Sequence, residues 1–213
     1  MRIRDRSIII LLSRVLTQSS TIILGIILVR LISKETLGTY RQIFLVHTFL
    51  WGLLSLQLGQ SLYYFIPKLS EDRRRNLLSQ TLIVTLLLAA VNAATMFFFA
   101  EAISQSFHNP PLARLLRICS LYPFATSLIE LIPAFMISID RPVRAGVYSM
   151  ATALGHIGVV IAGFSLGCSL SSIVWFVIMA ESAVALTGCY DMLRFAPGRG
   201  FSFDWALAKQ QLV

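Results

Sequence analysis

Apolar residues run along this chain in six long stretches, each ended by a short polar break. The stretches lie at about Ser7–Ile32, Ile43–Ile66, Leu77–Ala100, Leu115–Ile139, Ala145–Gly167 and Leu170–Tyr190. A helix crossing a bilayer needs about 20 mostly apolar residues, and every stretch has that length. None alternates as a half-buried strand would, and a bilayer interior admits only helices or closed barrels. The pattern predicts an all-α integral membrane protein with six transmembrane helices. Residues 1–190 form a six-helix lobe in this reading, and residues 191–213 a cytoplasmic linker and amphipathic segment.

The breaks are short and carry turn chemistry. Gly38 punctuates the first, Pro67 closes the second stretch ahead of Arg73, Arg74 and Arg75, and Asn109-Pro110-Pro111 makes a rigid connector. Asp140-Arg141-Pro142-Val143-Arg144 forms the next break. The turn at Cys168–Ser171 is tight enough to require antiparallel packing of the fifth and sixth helices. The first stretch is not a cleaved signal, because Arg14 interrupts it and no small-residue cleavage site follows. Beyond Ala196-Pro197-Gly198, Phe203, Trp205, Leu207 and Leu212 alternate with polar residues. This segment is expected to lie on the membrane surface and lead towards a seventh helix that the chain does not contain.

Composition agrees with the pattern. Hydrophobic residues make up 56% of the 213 and charged residues 13%, about half the charge of a soluble domain. The net charge of +8 is unevenly placed, which argues for membrane topology rather than nucleic acid. Arg2, Arg4, Arg6, Lys68, Arg73, Arg74, Arg75, Arg141, Arg144, Arg194, Arg199 and Lys209 fall on one side, against Lys34, Arg41, Arg114 and Arg117 on the other. The positive-inside rule puts the first side, with both termini, in the cytoplasm. Cys119, Cys168 and Cys189 lack the spacing of a metal or redox motif and read as small apolar residues.

Ionisable groups at membrane depth cost about 2.5–3.5 kcal/mol each on insertion scales, which makes them functional candidates. Arg14 heads a polar stripe with Gln18, Thr21 and Gly25, suited to a helix lining a wet cavity; the alternative is that Arg14 reaches back to the membrane surface. Gln57, Gln60 and Tyr64 form a second polar face. Glu130 stands mid-span between Pro123 and Pro133, where a buried carboxylate beside a broken helix suits a proton or cation; the alternative is a neutral acid bonded to a neighbouring helix. Glu181 lies at mid-depth within reach of His156, while His47 reads as a packing residue. Gly163 and Gly167 match a GxxxG spacing for close helix contact. No metal site, cofactor loop or hydrolase triad is present, and enzyme activity is not expected.

The run Leu28-Val29-Arg30-Leu31-Ile32-Ser33-Lys34-Glu35-Thr36-Leu37-Gly38-Thr39-Tyr40-Arg41-Gln42 resembles the first inter-helix connection of the polysaccharide flippases (Wzx or PST type) of the multidrug/oligosaccharidyl-lipid/polysaccharide exporter superfamily. The resemblance continues through Leu58-Gly59-Gln60-Ser61-Leu62-Tyr63-Tyr64-Phe65-Ile66-Pro67, Asp140-Arg141-Pro142 and Phe203-Asp204. It implies one lobe of a two-lobed transporter in the bacterial inner membrane. Such a protein flips lipid-linked oligosaccharide of the undecaprenyl-pyrophosphate type for surface polysaccharide. Arg14, Gln18, Gln57 and Gln60 would then face the substrate cavity, and Glu130, Glu181 and His156 would serve a coupling ion or proton. A polymerase or glycosyltransferase complex is the expected protein partner. Two other readings stay open: a multidrug or cation antiporter lobe, and a non-transporting scaffold of a polysaccharide assembly complex.

Overall fold

The second and fourth apolar stretches are broken, and the breaks shape the molecule. A computed structural model describes the backbone of residues 3–55 and 58–196, with the side chains of residues 3–14, 16, 71 and 72 outside the described set. Among the described residues, all regular structure is helical. The first stretch is α1 (Ile3–Leu31). The second divides into α2 (Lys34–Leu54) and α3 (Leu58–Phe65), which continues as a 3-10 turn over Ile66–Lys68, and the two halves meet at 48°. The third stretch is α4 (Glu71–Phe98), followed by the short α5 (Ala100–Ser106). The fourth divides into α6 (Pro111–Cys119) and α7 (Tyr122–Ser138), bent by 47°. Finally, α8 (Pro142–Ser165) and α9 (Leu170–Phe195) complete the described chain.

Pro123 explains the break between α6 and α7. Its ring has no N–H and would clash with the carbonyl four residues earlier, which is that of Cys119, the last residue of α6. Pro133 is tolerated inside α7. Three of the described helices are long and apolar enough to cross a membrane, and up to five crossings result if each bent pair counts as one. The described apolar part of α1 is the shorter Thr17–Leu31. The chain is thus a multi-pass helical membrane protein, with spans less uniform than six straight helices.

Three helix ends share one device. In α5, α7 and α8 the amide five residues along closes back on the helix: Asn109 N–H to Ser104 O (3.0 Å), Arg141 N–H to Met136 O (2.8 Å) and Cys168 N–H to Gly163 O (2.9 Å). The residue just before each donor adopts a positive φ: His108 (51°), Asp140 (64°) and Gly167 (71°). These are Schellman caps, which satisfy carbonyls that a helix end leaves open. At the opposite ends, the Ser33 and Ser169 side chains accept from the Thr36 and Ser172 amides, each at 3.2 Å, and start α2 and α9.

The apolar core is split in two along the bundle. One cluster joins Leu28, Ile43, Met96, Leu116, Val160 and Ile173 at the end where α2 and α9 begin. The other joins Leu62, Ile66, Leu77, Phe135, Ala145 and Met192 at the end where α4 and α8 begin. Arginines lock this second end. Arg74 Nε donates to the Ile66 and Leu69 carbonyls, both at 3.0 Å, and Arg75 Nη1 donates to Leu193 O at 2.8 Å and Ala196 O at 3.1 Å. Arg144 pairs with Asp191, which also accepts from Tyr148 OH, and the Arg141 and Arg144 guanidinium groups both lie over the Phe195 ring. These residues read from sequence as topology signals; in the fold they also close helix ends.

α1 packs chiefly against α8, α8 against α9, and α7 against both α8 and α9, so the fifth and sixth apolar stretches are neighbours as the tight turn requires. Gly163 and Gly167 do different jobs. A Cβ on Gly163 would come within 2.7 Å of Ile173 Cγ1 on α9, whereas Gly167 serves the turn through its φ of 71°. α7 and α9 approach closely at Gly188, where a Cβ would sit 2.1 Å from Ile132 Cδ1 and 2.8 Å from its Cγ1. Gly188→Ala is expected to cost about 1–3 kcal/mol, the usual range for overpacking, and to lower the thermal midpoint in detergent micelles. Gly158→Ala, where a Cβ meets nothing within 4 Å, is expected to leave it unchanged or raise it.

Candidate functional site

Beside the first apolar cluster, α1, α2, α7, α8 and α9 enclose a cavity of about 610 Å³. From α1 it is lined by Thr17, Ser20, Thr21, Leu24, Gly25 and Leu28, one face of the helix at spacings of three and four. The hydroxyls on this wall bond to their own helix: Ser20 Oγ donates to Thr17 O at 2.6 Å and Thr21 Oγ1 reaches the same carbonyl at 3.5 Å. From α2 the lining is Tyr40, Arg41 and Phe44. The Arg41 guanidinium reaches across to α1, where a Cβ on Gly25 would lie 3.6 Å from Nη2. Among the described residues Arg41 makes no ion pair.

The cavity floor is a hydrogen-bonded cluster drawn from four helices. Glu181 on α9 is only 3% exposed. Its Oε1 lies 2.7 Å from His156 Nδ1 on α8 and accepts from Tyr122 OH on α7 at 3.0 Å. The other ring nitrogen of His156 is 3.0 Å from Tyr40 OH on α2. His47, also on α2, stacks edge-on against the Tyr122 ring at 4.9 Å, and its Nε2 is 3.3 Å from Thr126 Oγ1. Phe44 packs edge-on against both Tyr122 and His156. A carboxylate inside an apolar bundle is stable only with such partners, and these supply them.

A second cavity, about 760 Å³, lies at the break between α2 and α3. Thr48, Trp51, Ser55, Gln60 and Tyr63 line it, together with Glu130 of α7. Glu130 also lines the first cavity, so its carboxylate stands between the two. Trp51 Nε1–H donates to Glu130 Oε2 at 2.8 Å and fixes the side chain there.

The sequence-predicted residues separate into distinct groups. His156 and Glu181 are in contact and Glu130 lies on the same cavity, but the buried acid is Glu181; Glu130 is exposed. The reason is orientation: Glu130 faces the gaps beside α2, whereas Glu181 faces the packed sides of α7 and α8. Gln18 is exposed and absent from the cavity lining, which the neighbouring Thr17 and Thr21 provide instead. Gln60 lines the second cavity. Gln57 and the Arg14 side chain lie outside the described residues, although the Arg14 backbone stands one turn before Thr17 on α1.

Sequence reasoning missed Tyr40, Arg41, Trp51 and Tyr122. Starting the second helix at Ile43 left Tyr40 and Arg41 in a loop, but the Ser33 cap starts it at Lys34 and carries both onto the cavity wall. The cap residue, with Glu35 in the first turn, was the available signal. Among the described residues, no group of three His, Cys, Asp or Glu side chains is placed to hold a metal ion.

The hydrogen bond from Tyr122 predicts its own test. Tyr122→Phe leaves the ring contacts with Phe44 and His47 in place and removes one donor from buried Glu181. The expected cost is about 1–3 kcal/mol, the range for a buried group that loses a partner, read as a lower unfolding midpoint in detergent.

No curated protein and no solved structure matches the chain. A family model described as polysaccharide biosynthesis protein matches residues 3–207, nearly the whole length, and the chain belongs to that family.

Proposed function

We propose that this chain is the N-terminal lobe of a flippase for lipid-linked oligosaccharide in the bacterial inner membrane, crossing the bilayer six times with both termini cytoplasmic. The observation that carries the reading is Arg41, which makes no ion pair among the described residues, on the wall of a largely apolar cavity between the helices. A lipid pyrophosphate needs a cation at membrane depth, and an arginine offers paired donors to phosphate oxygens. Thr17, Ser20, Thr21, Thr126 and Thr152 add hydroxyls on the same cavity, suited to the sugar part. Family membership supports a place in polysaccharide biosynthesis.

The exposed apolar faces on either side fit this proposal. Ile22, Ile26 and Val29 on α1, and Leu45, Phe49 and Leu53 on α2, are all exposed. In this reading they meet lipid tails or a second lobe that supplies the facing wall. In this reading Arg14, Gln57 and Gln60 extend the substrate path towards the cytoplasmic side, and Gln18, exposed and off the cavity lining, takes no part in it. A polymerase or glycosyltransferase complex remains the proposed protein partner.

A second reading, an antiporter for small cations, draws on the two carboxylates Glu130 and Glu181 that share the cavity. The two readings part on Arg41. In cells that depend on this chain for surface polysaccharide, Arg41→Ala should lower the yield about 10- to 100-fold, the equivalent of one lost charge-assisted hydrogen bond, and Arg41→Lys should restore part of it. Unchanged polysaccharide in Arg41→Ala, with gradient-driven cation efflux lost in Glu130→Ala, favours the antiporter instead.

A further inference from the structure

We propose that the end of the bundle where α4 and α8 begin binds one anionic phospholipid, its phosphate on Arg141 beside Phe195 and its acyl chains along the outer faces of α8 and α9. The proposal is independent of the Arg41 cavity and of what the chain transports. Phe195, the last residue of α9, is the platform. Arg141 Cζ lies 3.8 Å and Arg144 Cζ 4.4 Å from the centroid of its ring. Two guanidinium groups thus gather on one aromatic side chain at the membrane end of the helices.

The two arginines differ in commitment. Arg144 is neutralised by Asp191, which also accepts from Tyr148 OH at 3.0 Å. Arg141 makes no ion pair among the described residues. Stacking on a ring uses the face of a guanidinium, whereas its N–H donors point outward in the plane, so the edges stay open to phosphate oxygens. The ring also holds the side chain in place, which lowers the ordering cost of binding. The charge balance favours an anion. Residues 68–75, 140–144 and 191–194, which meet at this end, carry seven basic side chains against four acidic ones.

The apolar surface beside these cations says what carries the anion. On α8, Val143, Val147 and Leu154 are exposed at spacings of four and seven, so they share one face. On α9, Met179, Leu186 and Tyr190 form an exposed stripe by the same spacings. Arg194, exposed and one turn beyond Tyr190, continues that stripe at the cationic end. Each stripe spans eleven residues, about 16 Å at helical rise, close to the ~15 Å depth of one hydrocarbon leaflet. A soluble anion would use the arginines and leave both stripes bare. An amphiphile with an anionic head and two apolar chains uses all of them.

The test mixes the full chain in detergent micelles with equimolar phosphatidylglycerol and phosphatidylcholine, and reads retained lipid by native mass spectrometry. One phosphatidylglycerol per chain should be retained in preference to phosphatidylcholine. Arg141→Gln should lower its retention about five- to tenfold, and Arg141→Lys should restore only part, because an ammonium lacks the planar fork. Arg73→Gln, exposed at the same end, and Arg114→Gln, exposed at the other, should each change retention by less than about twofold, since screening weakens a distant charge. Equal retention of the two lipids overturns the proposal. So does an equal loss in Arg141→Gln and Arg73→Gln, which would mean a diffuse basic surface. Should Arg141→Gln fail to fold, Phe195→Leu decides instead: it must weaken retention, and unchanged retention overturns the site. Glycerol 3-phosphate in excess should not displace the lipid; displacement would make this a site for a soluble anion. Preferential retention of a polyprenyl pyrophosphate over phosphatidylglycerol would likewise overturn the phospholipid and assign the site to the transported lipid.

Discussion

The organising constraint of this fold is that a carboxylate nearly sealed inside an apolar bundle must find its hydrogen-bond partners within the protein. Glu181 is that group, and α2, α7 and α8 each send a side chain to its cluster. In lipid an unmet polar group costs more than most packing contacts return. The register of α9 against α7 and α8 is thus fixed by chemistry as well as by shape. Gly188 against Ile132 and Gly163 against Ile173 set how closely the same helices approach.

That constraint also explains why the apolar core is divided. One cluster fills the end where α2 and α9 begin, the other the end where α4 and α8 begin. The His156–Glu181 contact and Glu130 lie on the cavity alongside, and Trp51 belongs to neither cluster. Two dry clusters with polar groups at intermediate positions give a bundle that is firm at its ends and accommodating in its middle.

Membrane residence and the helical class were legible because they rest on composition and length, which lipid makes decisive. The breaks were only partly legible. Pro123 could be read as a helix stop, but the interruption between Leu54 and Leu58 has no proline, and the polar Ser55 and Gln57 there sit within an otherwise apolar stretch long enough to span by itself. The pairing of His156 with Glu181 followed from two polar residues at similar depth on adjacent helices. The burial of Glu181 and the exposure of Glu130 did not, because which face of α7 is covered depends on how the bent α2–α3 pair leaves a gap beside it. Arg41 is hard to read for a simpler reason: the apolar stretch begins only at Ile43, so an arginine eight residues after the Ser33 cap looks like loop, and the positive-inside count has no place for a cation on a cavity wall.

The basic residues therefore divide by partner rather than by side. Arg74, Arg75 and Arg144 are held by backbone carbonyls or by Asp191, so their charge is committed to the fold. Arg41 has no such commitment among the described residues, and its guanidinium lies beside Gly25 of α1. An arginine committed to helix ends loses those bonds if it turns to a ligand, whereas an uncommitted one can bind an anion at little structural cost. By that argument Arg74, Arg75 and Arg144 are not available to a ligand, whereas Arg41 stands on the cavity wall with its charge uncommitted among the described residues.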